Sequence, residues 1–174
     1  MGERRLCTAE VAGSTPVSST PLVGSSLAGE TDVIFTRILA ATDGTEVALR
    51  GVEMAARMAA RDNAEFLLLT AISLPQHLVL SANMGQRSVH GVAERMAQES
   101  LTPALAVLER WGVGAEVKMV IGPPAESILA EIETSGADLV IMGRRSRVEP
   151  KDLILGDVSY RVARRVAVPI LLVP

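Results

Sequence analysis

The sequence predicts an α/β fold, an open parallel sheet with helices on both faces, and three observations carry that expectation. From Ile34 onward short apolar runs alternate with stretches of helical period, and five such alternations are what a parallel sheet with crossover helices requires. The run Glu65-Phe66-Leu67-Leu68-Leu69-Thr70-Ala71-Ile72 is almost continuously apolar, as expected of a strand covered on both faces. Third, Gly143-Arg144-Arg145-Ser146, then nine residues, then Gly156-Asp157, lies between an apolar strand and a helix start. That is where an α/β sheet binds phosphates.

Strand one is Arg37-Ile38-Leu39-Ala40-Ala41-Thr42, which Asp43-Gly44-Thr45 turns into a helix from about Glu46 to Arg61. Ala48, Val52, Ala55 and Ala59 recur at three- and four-residue spacing and mark its inner face. The outer face carries Glu46/Arg50 and Glu53/Arg57, acid-before-base pairs four residues apart, each stabilising by ~0.3 to 0.5 kcal/mol. Strand two is the Glu65 to Ile72 run. After a loop with Pro75, a long helix is expected from about Ser88 to Trp111, stopped by Gly112 and Gly114 and kinked or divided at Pro103. Strand three is Glu116 to Ile121. Gly122-Pro123-Pro124 then leads into a helix from Ala125 to Thr134, proline being tolerated where first-turn amides have no helical partner. Strand four is Ala137-Asp138-Leu139-Val140-Ile141-Met142, a helix opens at Asp157 and runs to Val166, and Val168 to Val173 is strand five.

A chain of 174 residues, 48% hydrophobic and 21% charged, suffices for one well-buried domain and is short for two. Its formal charge of -3 offers no basic field for nucleic acid, and two Phe, one Trp and one Tyr are too few for a base-stacking platform. The longest apolar runs fall well short of the ~18 to 20 residues that a membrane span needs. Neither nucleic acid nor membrane is expected as a partner. Cys7 is the only cysteine, which excludes an internal disulfide and a cysteine zinc site and fits a cytoplasmic location. His77 and His90 stand apart from any ligand cluster, so no metal site is read.

Met1 to Glu30 are crowded with Ser, Thr, Gly and Pro, so residues 1–32 are expected to form a disordered extension and residues 33–174 the folded domain. Arg4 and Arg5 are followed by Cys7-Thr8-Ala9-Glu10 rather than an apolar core, against a signal peptide. Gly13-Ser14-Thr15-Pro16 can be written GGT TCG ACT CCC, which reads like the T-arm of a transfer-RNA gene. A translation start assigned too far upstream would give such a segment; a genuine flexible extension is the other reading.

Four landmarks, in order and at matching spacing, resemble the universal stress protein family. They are Ala41-Thr42-Asp43-Gly44-Thr45, then Gly122-Pro123-Pro124-Ala125-Glu126-Ser127-Ile128-Leu129, then Ala137 to Gly143 with the distant Leu155-Gly156, and finally Val168-Pro169-Ile170-Leu171-Leu172-Val173-Pro174. The resemblance spans Arg37 to Pro174. It implies a Rossmann-like, open five-stranded parallel sheet of order 3-2-1-4-5, with ligand at the carboxyl ends where strands one and four part. In nucleotide-binding members an acidic residue at the position of Asp43 contacts the nucleoside. Backbone near Ala41 and after strand three, at Gly122, meets the base, and a loop Gly-x2-Gly-x9-Gly-Ser/Thr holds the phosphates. The nucleotide-binding candidates are therefore Ala41, Asp43, Gly122, Gly143, Arg144, Ser146, Gly156 and Asp157.

Two letters of that loop are changed. Ser146 stands where the pattern has its second glycine, at a cost on the order of 1 to 2 kcal/mol if the position is left-handed. Asp157 stands where a Ser or Thr hydroxyl would donate to phosphate, and its carboxylate accepts instead, at a helix start that should attract the anion. Arg144, Arg145 and Arg147 could compensate by pairing phosphate; their other reading is a solvated loop face, with Asp157 in a structural bridge to one of them. A loop that lacks both a glycine and its hydroxyl is more simply a relaxed site. Asp43 also has two readings, as a ligand contact and as the cap of the first helix.

No catalytic set is legible: no Ser-His-Asp constellation, no paired active carboxylates and no GxxxxGK[S/T]. The leading expectation is a cytoplasmic stress-response protein acting as a dimeric regulatory module with a degenerate nucleotide loop. The alternative is an ATP-binding switch with slow hydrolysis, taking ATP with Mg. A phosphoacceptor domain has Asp43 alone in its favour. Val168 to Val173 is the sheet edge in the implied order, so a homodimer through that strand is expected, one that Lys at Ile170 and Leu172 would dissociate with the fold intact.

Overall fold

Ile38 to Ala41, Phe66 to Leu69 and Leu139 to Met142 are buried apolar runs with no polar face to leave in water, and they pair side by side. The computed structural model describes residues 33–74, 86–144 and 157–174. They form, in order, β1 (Arg37–Ala41), α1 (Glu46–Asp62), β2 (Glu65–Ile72), α2 (Gln86–Trp111), β3 (Glu116–Ile121), α3 (Pro124–Ser135), β4 (Leu139–Gly143), α4 (Asp157–Ala163) and β5 (Ile170–Val173). The five strands make one sheet of order β3-β2-β1-β4-β5, and every pairing is parallel. β1 is central, with Ile38 opposite Phe66 on one side and Leu139 on the other. The extension expected over residues 1–32 lies outside the described residues, as do Ser146 and Gly156. No described helix is long and apolar enough to cross a membrane.

Side chains alternate across the pleat, so each strand feeds two cores. Ile38, Ala40, Phe66, Leu68, Leu139 and Ile141 face α1 and α2, where Val52, Ala55, Ala104 and Leu108 cover them. Leu39, Ala41, Leu67, Leu69, Val140 and Met142 face α3 and α4, against Ala125, Ile128, Ile132 and Val162. Helices thus cover both faces, and the inner face expected for α1 is the buried one.

Local spacing misassigned several details. Glu46 and Arg50 do pair at 3.1 Å, but Glu53 pairs with Arg110 at 2.7 Å rather than with Arg57. The Arg57 guanidinium lies over the Trp111 ring, 5.5 Å from its centroid. The packed end of α2 offers partners that the spacing of α1 alone does not reveal. α2 continues through Pro103 as one helix rather than two, with Ala93 and Ala97 before it and Ala104 and Leu108 after it packed inward. β5 begins at Ile170 rather than Val168, since Pro169 joins the ladder only through its carbonyl, which accepts from the Val140 amide at 3.0 Å. Ile170 and Leu172 pack inward against the α3/α4 core, whereas Leu171 is exposed. Lysine at those two positions would therefore injure the core rather than spare the fold.

The amino ends of β1 and β4 are tied by one side chain. The Asp138 carboxylate accepts from the Thr36 amide and hydroxyl, both at 2.7 Å, and from the Arg37 amide at 3.0 Å. Partial burial pushes this carboxyl up, but the hydrogen bonds from Thr36 and Arg37 outweigh it and hold it below its ordinary 3.8. A folded value below the unfolded one gives stability that is complete above 3.8 and is lost as pH falls through the folded value. Asp138→Asn is expected to cost about 1.5 to 3 kcal/mol at neutral pH. Its deficit should shrink in acid, which urea unfolding of both proteins across that range would check.

Candidate functional site

Beyond Ala41 the chain turns to α1 on one face of the sheet, and beyond Gly143 it passes to α4 on the other. Adjacent strands whose connections part in this way leave a crevice at their carboxyl ends. A cavity of about 220 Å³ opens there. Ala41, Thr42 and Asp43 form one wall and Met142 and Gly143 another. Leu69 and Ala71 of β2, Ala48 of α1, Pro124 and Ile128 of α3, and Val158 and Ser159 of α4 complete it.

The turn that carries Asp43 is held from two sides. Asp43 Oδ1 accepts from the Thr45 amide at 3.0 Å and from the Thr45 hydroxyl at 2.6 Å. Thr45 Oγ1 in turn accepts from the Ala48 amide, so Thr45 is the cap of α1 and Asp43 buttresses it. The capping role considered for Asp43 therefore belongs to its neighbour two residues on. Gly44 lies between them at φ +78°, where a side chain would be strained, and a Cβ there would sit 2.8 Å from the Ser100 Cα. α2 thus presses directly on the loop, and Ser100 Oγ donates to the Asp43 carbonyl at 3.2 Å.

Packing alone already requires a glycine at position 143. A Cβ there would come within 2.7 Å of the Val47 carbonyl oxygen and 2.9 Å of the Ala48 amide nitrogen. The first turn of α1 therefore packs directly against Gly143. Gly51, one turn further on, has its own Cβ position 3.0 Å from the Gly143 nitrogen. Two glycines let α1 lie on the end of β4.

Of the residues the sequence singled out, Ala41, Asp43 and Gly143 meet at the cavity. Arg144 follows Gly143, but its amide already donates to the Val173 carbonyl at 2.7 Å and closes the β4/β5 ladder. Gly122 is not among the lining residues; its amide donates to Ile72 at 3.0 Å, and Pro124 reaches the cavity in its place. Asp157 opens α4. Sequence reasoning missed Thr42, which is buried and accepts from the Gly44 amide at 3.1 Å, and Ser159, whose hydroxyl donates to the Gly143 carbonyl at 2.8 Å. The only signal for Ser159 was its place one turn inside a helix that follows the glycine loop.

A family model described as the universal stress protein family matches residues 35–174. A universal stress protein of Methanocaldococcus jannaschii is 27% identical over 140 residues, covering 80% of this chain and 82% of that one. One of Bacillus subtilis is 26% identical over 154 residues, covering 80% and 99%. Among solved structures, a universal stress protein in complex with cAMP superposes with a TM-score of 0.63 at 24% identity, over 80% of this chain and 97% of that one. The Archaeoglobus fulgidus protein in complex with dAMP gives 0.56 at 16% identity, over 82% and 99%. With the strand order, the cleft and a family match over nearly all of the described chain in agreement, the protein belongs to the universal stress protein family.

Proposed function

We propose that the protein is a cytoplasmic, dimeric regulatory module of the stress response that takes an adenine nucleotide into the cleft between β1 and β4 and holds its phosphates weakly. The observation that supports this most is the cavity, which joins Ala41, Asp43 and Gly143 at the switch point of the sheet. That two proteins of the same fold were solved with cAMP and dAMP supports a nucleotide as the ligand. Ser146 in place of a glycine, and Asp157 in place of a hydroxyl donor, support weak phosphate binding. A native mass spectrum of protein purified without added nucleotide tests the reading. The expected result is a dimer mass without stoichiometric ATP. A dimer that retains one ATP per chain would favour the ATP-binding switch with slow hydrolysis, carrying ATP with Mg.

The dimer is proposed to form through Val168 to Val173, which is an edge of the sheet among the described residues, because an apolar edge strand is an association site. Leu171 is the exposed side chain of β5, 37% accessible, while Ile170 and Leu172 turn inward. Leu171→Lys is expected to raise the dimer dissociation constant about tenfold or more, the loss of roughly 1.4 kcal/mol or more from a contact site. Light scattering at micromolar concentration should show monomer with an unchanged circular dichroism spectrum. A variant that remains fully dimeric would place the interface elsewhere.

A further inference from the structure

α2 meets the turn that carries Asp43 backbone to backbone. A Cβ on Gly44 would sit 2.8 Å from the Ser100 Cα, 3.3 Å from the Ser100 carbonyl oxygen and 3.5 Å from that of Glu99. Gly44 offers no side chain that could absorb a displacement, so helix and turn must move together. Pro103 has no amide to give the Glu99 carbonyl, and the helix ladder loses a bond on the same turn that meets Gly44. The Ser100 hydroxyl has a single proton and two acceptors within reach. Its Oγ lies 3.1 Å from the Met96 carbonyl oxygen, within its own helix, and 3.2 Å from the Asp43 carbonyl oxygen, across the contact. Donation to Met96 keeps the proton inside α2; donation to Asp43 ties α2 to the cleft wall. At its far end α2 carries Trp111, the only tryptophan of the chain, about 16 Å from Ser100 along the helix axis. The Arg57 guanidinium of α1 lies over that ring, 5.5 Å from its centroid.

From this contact we infer that α2 is a regulatory arm of the cleft: the Ser100 hydroxyl switches between Met96 and Asp43, so that a ligand held by Asp43 shifts α2, and the shift is read at Trp111. This rests on the nucleotide-binding reading above and adds its regulation. A coupling of this kind needs two arrangements of similar energy, and one proton between two neutral carbonyls at nearly equal distance provides them. It is also reciprocal, so whatever draws α2 onto the turn tightens the ligand by the same factor.

Titration of the full chain with AMP, followed in parallel by calorimetry and by Trp111 emission, tests the inference. Both signals are expected to share one midpoint. Ser100→Ala keeps the helix and removes the proton; it should still bind AMP, with affinity lowered severalfold, and lose more than half of the emission change. Binding of AMP with no change in Trp111 emission or in hydrogen exchange of the α2 amides would overturn the coupling and leave the nucleotide reading standing. An emission change undiminished in Ser100→Ala would likewise sink it. A second comparison needs no ligand and so separates the two readings if AMP does not bind. Gly44→Ala and Gly136→Ala each place a side chain at positive φ, +78° and +71°, but nothing lies within 4 Å of the Cβ position of Gly136. Only Gly44→Ala should shift Trp111 emission and speed exchange of the α2 amides severalfold, both variants being folded by circular dichroism. That result without AMP binding would bring down the nucleotide reading and leave the coupling; equal emission and exchange in the two variants would bring down the coupling whether or not AMP binds. Should Gly44→Ala not fold, ligand-free Ser100→Ala takes its place. Its Thr45 amide, which donates to Asp43 Oδ1, should exchange severalfold faster than in the wild type, and an equal rate would overturn the coupling.

Discussion

Gly143→Ala is expected to destabilise the fold by about 3 kcal/mol, the upper end of what overpacking costs. The added methyl would meet three backbone atoms at once, the Val47 carbonyl oxygen at 2.7 Å, its carbon at 2.8 Å and the Ala48 nitrogen at 2.9 Å. None can rotate away as a flexible side chain would, so the start of α1 must move as a body. For a chain of this size that corresponds to a fall of roughly 6 to 12 °C in melting temperature. Gly114→Ala is the control: nothing lies within 4 Å of its Cβ position, and the change should stay within about 0.5 kcal/mol. If Gly143 instead served only the approach of an anion, the alanine variant would keep its stability and lose ligand alone. Ala48 lines the cavity and belongs to the displaced turn, so the expected variant loses both together.

Asp157→Ser should tighten ATP binding at least about tenfold. The family pattern places a hydroxyl at this helix start on the phosphate, and a carboxylate within roughly 4 Å of phosphate oxygens repels by about 1 to 4 kcal/mol, according to the effective dielectric. That range corresponds to roughly tenfold to several hundredfold in affinity. Adding Ser146→Gly should tighten ATP further if the loop needs a left-handed residue there, where serine costs on the order of 1 to 2 kcal/mol. Adenosine, which has no phosphate to repel, should bind both variants as it binds the wild type. If Asp157→Ser weakens a micromolar ATP affinity, the carboxylate positions a loop arginine or a bridging cation, and the weak-phosphate reading is wrong.

What the sequence disclosed was what depends on near neighbours or on composition. The unbroken apolar run of β2 announced a strand covered on both faces, and the spacing of Ala48, Val52, Ala55 and Ala59 announced the buried side of α1. Both signals are local periods, and both hold. What local pattern concealed was the choice of partner. Glu53 has Arg57 one turn away and pairs with Arg110, because a helix packed alongside competes with the helix's own spacing. The site divides along the same line. Asp43 and Ala41 were legible as a strand end before a helix. The role of Gly143 as a seat for α1 was not, since a glycine reads the same whether a ligand or a helix fills the space its missing Cβ leaves. Ser159 carried no signal of its own, because the carbonyl it engages lies sixteen residues away on another element.

The hydrogen bonds from Thr36 to Asp138 span 102 residues, and β1 gains its second neighbour only through β4. During synthesis, therefore, β1, α1, β2, α2 and β3 can assemble as a half sheet while the far side of Ile38 to Ala41 has nothing to pair with. Unpaired amides and carbonyls flanked by side chains that the finished protein hides from water are the surface on which nascent chains pair wrongly. At ~5 to 20 residues per second, the wait between completing β3 and completing β4 lasts on the order of seconds, before allowance for the ribosomal exit tunnel. The strand that ends most protected in the folded protein is thus the one most at risk while the chain is being made.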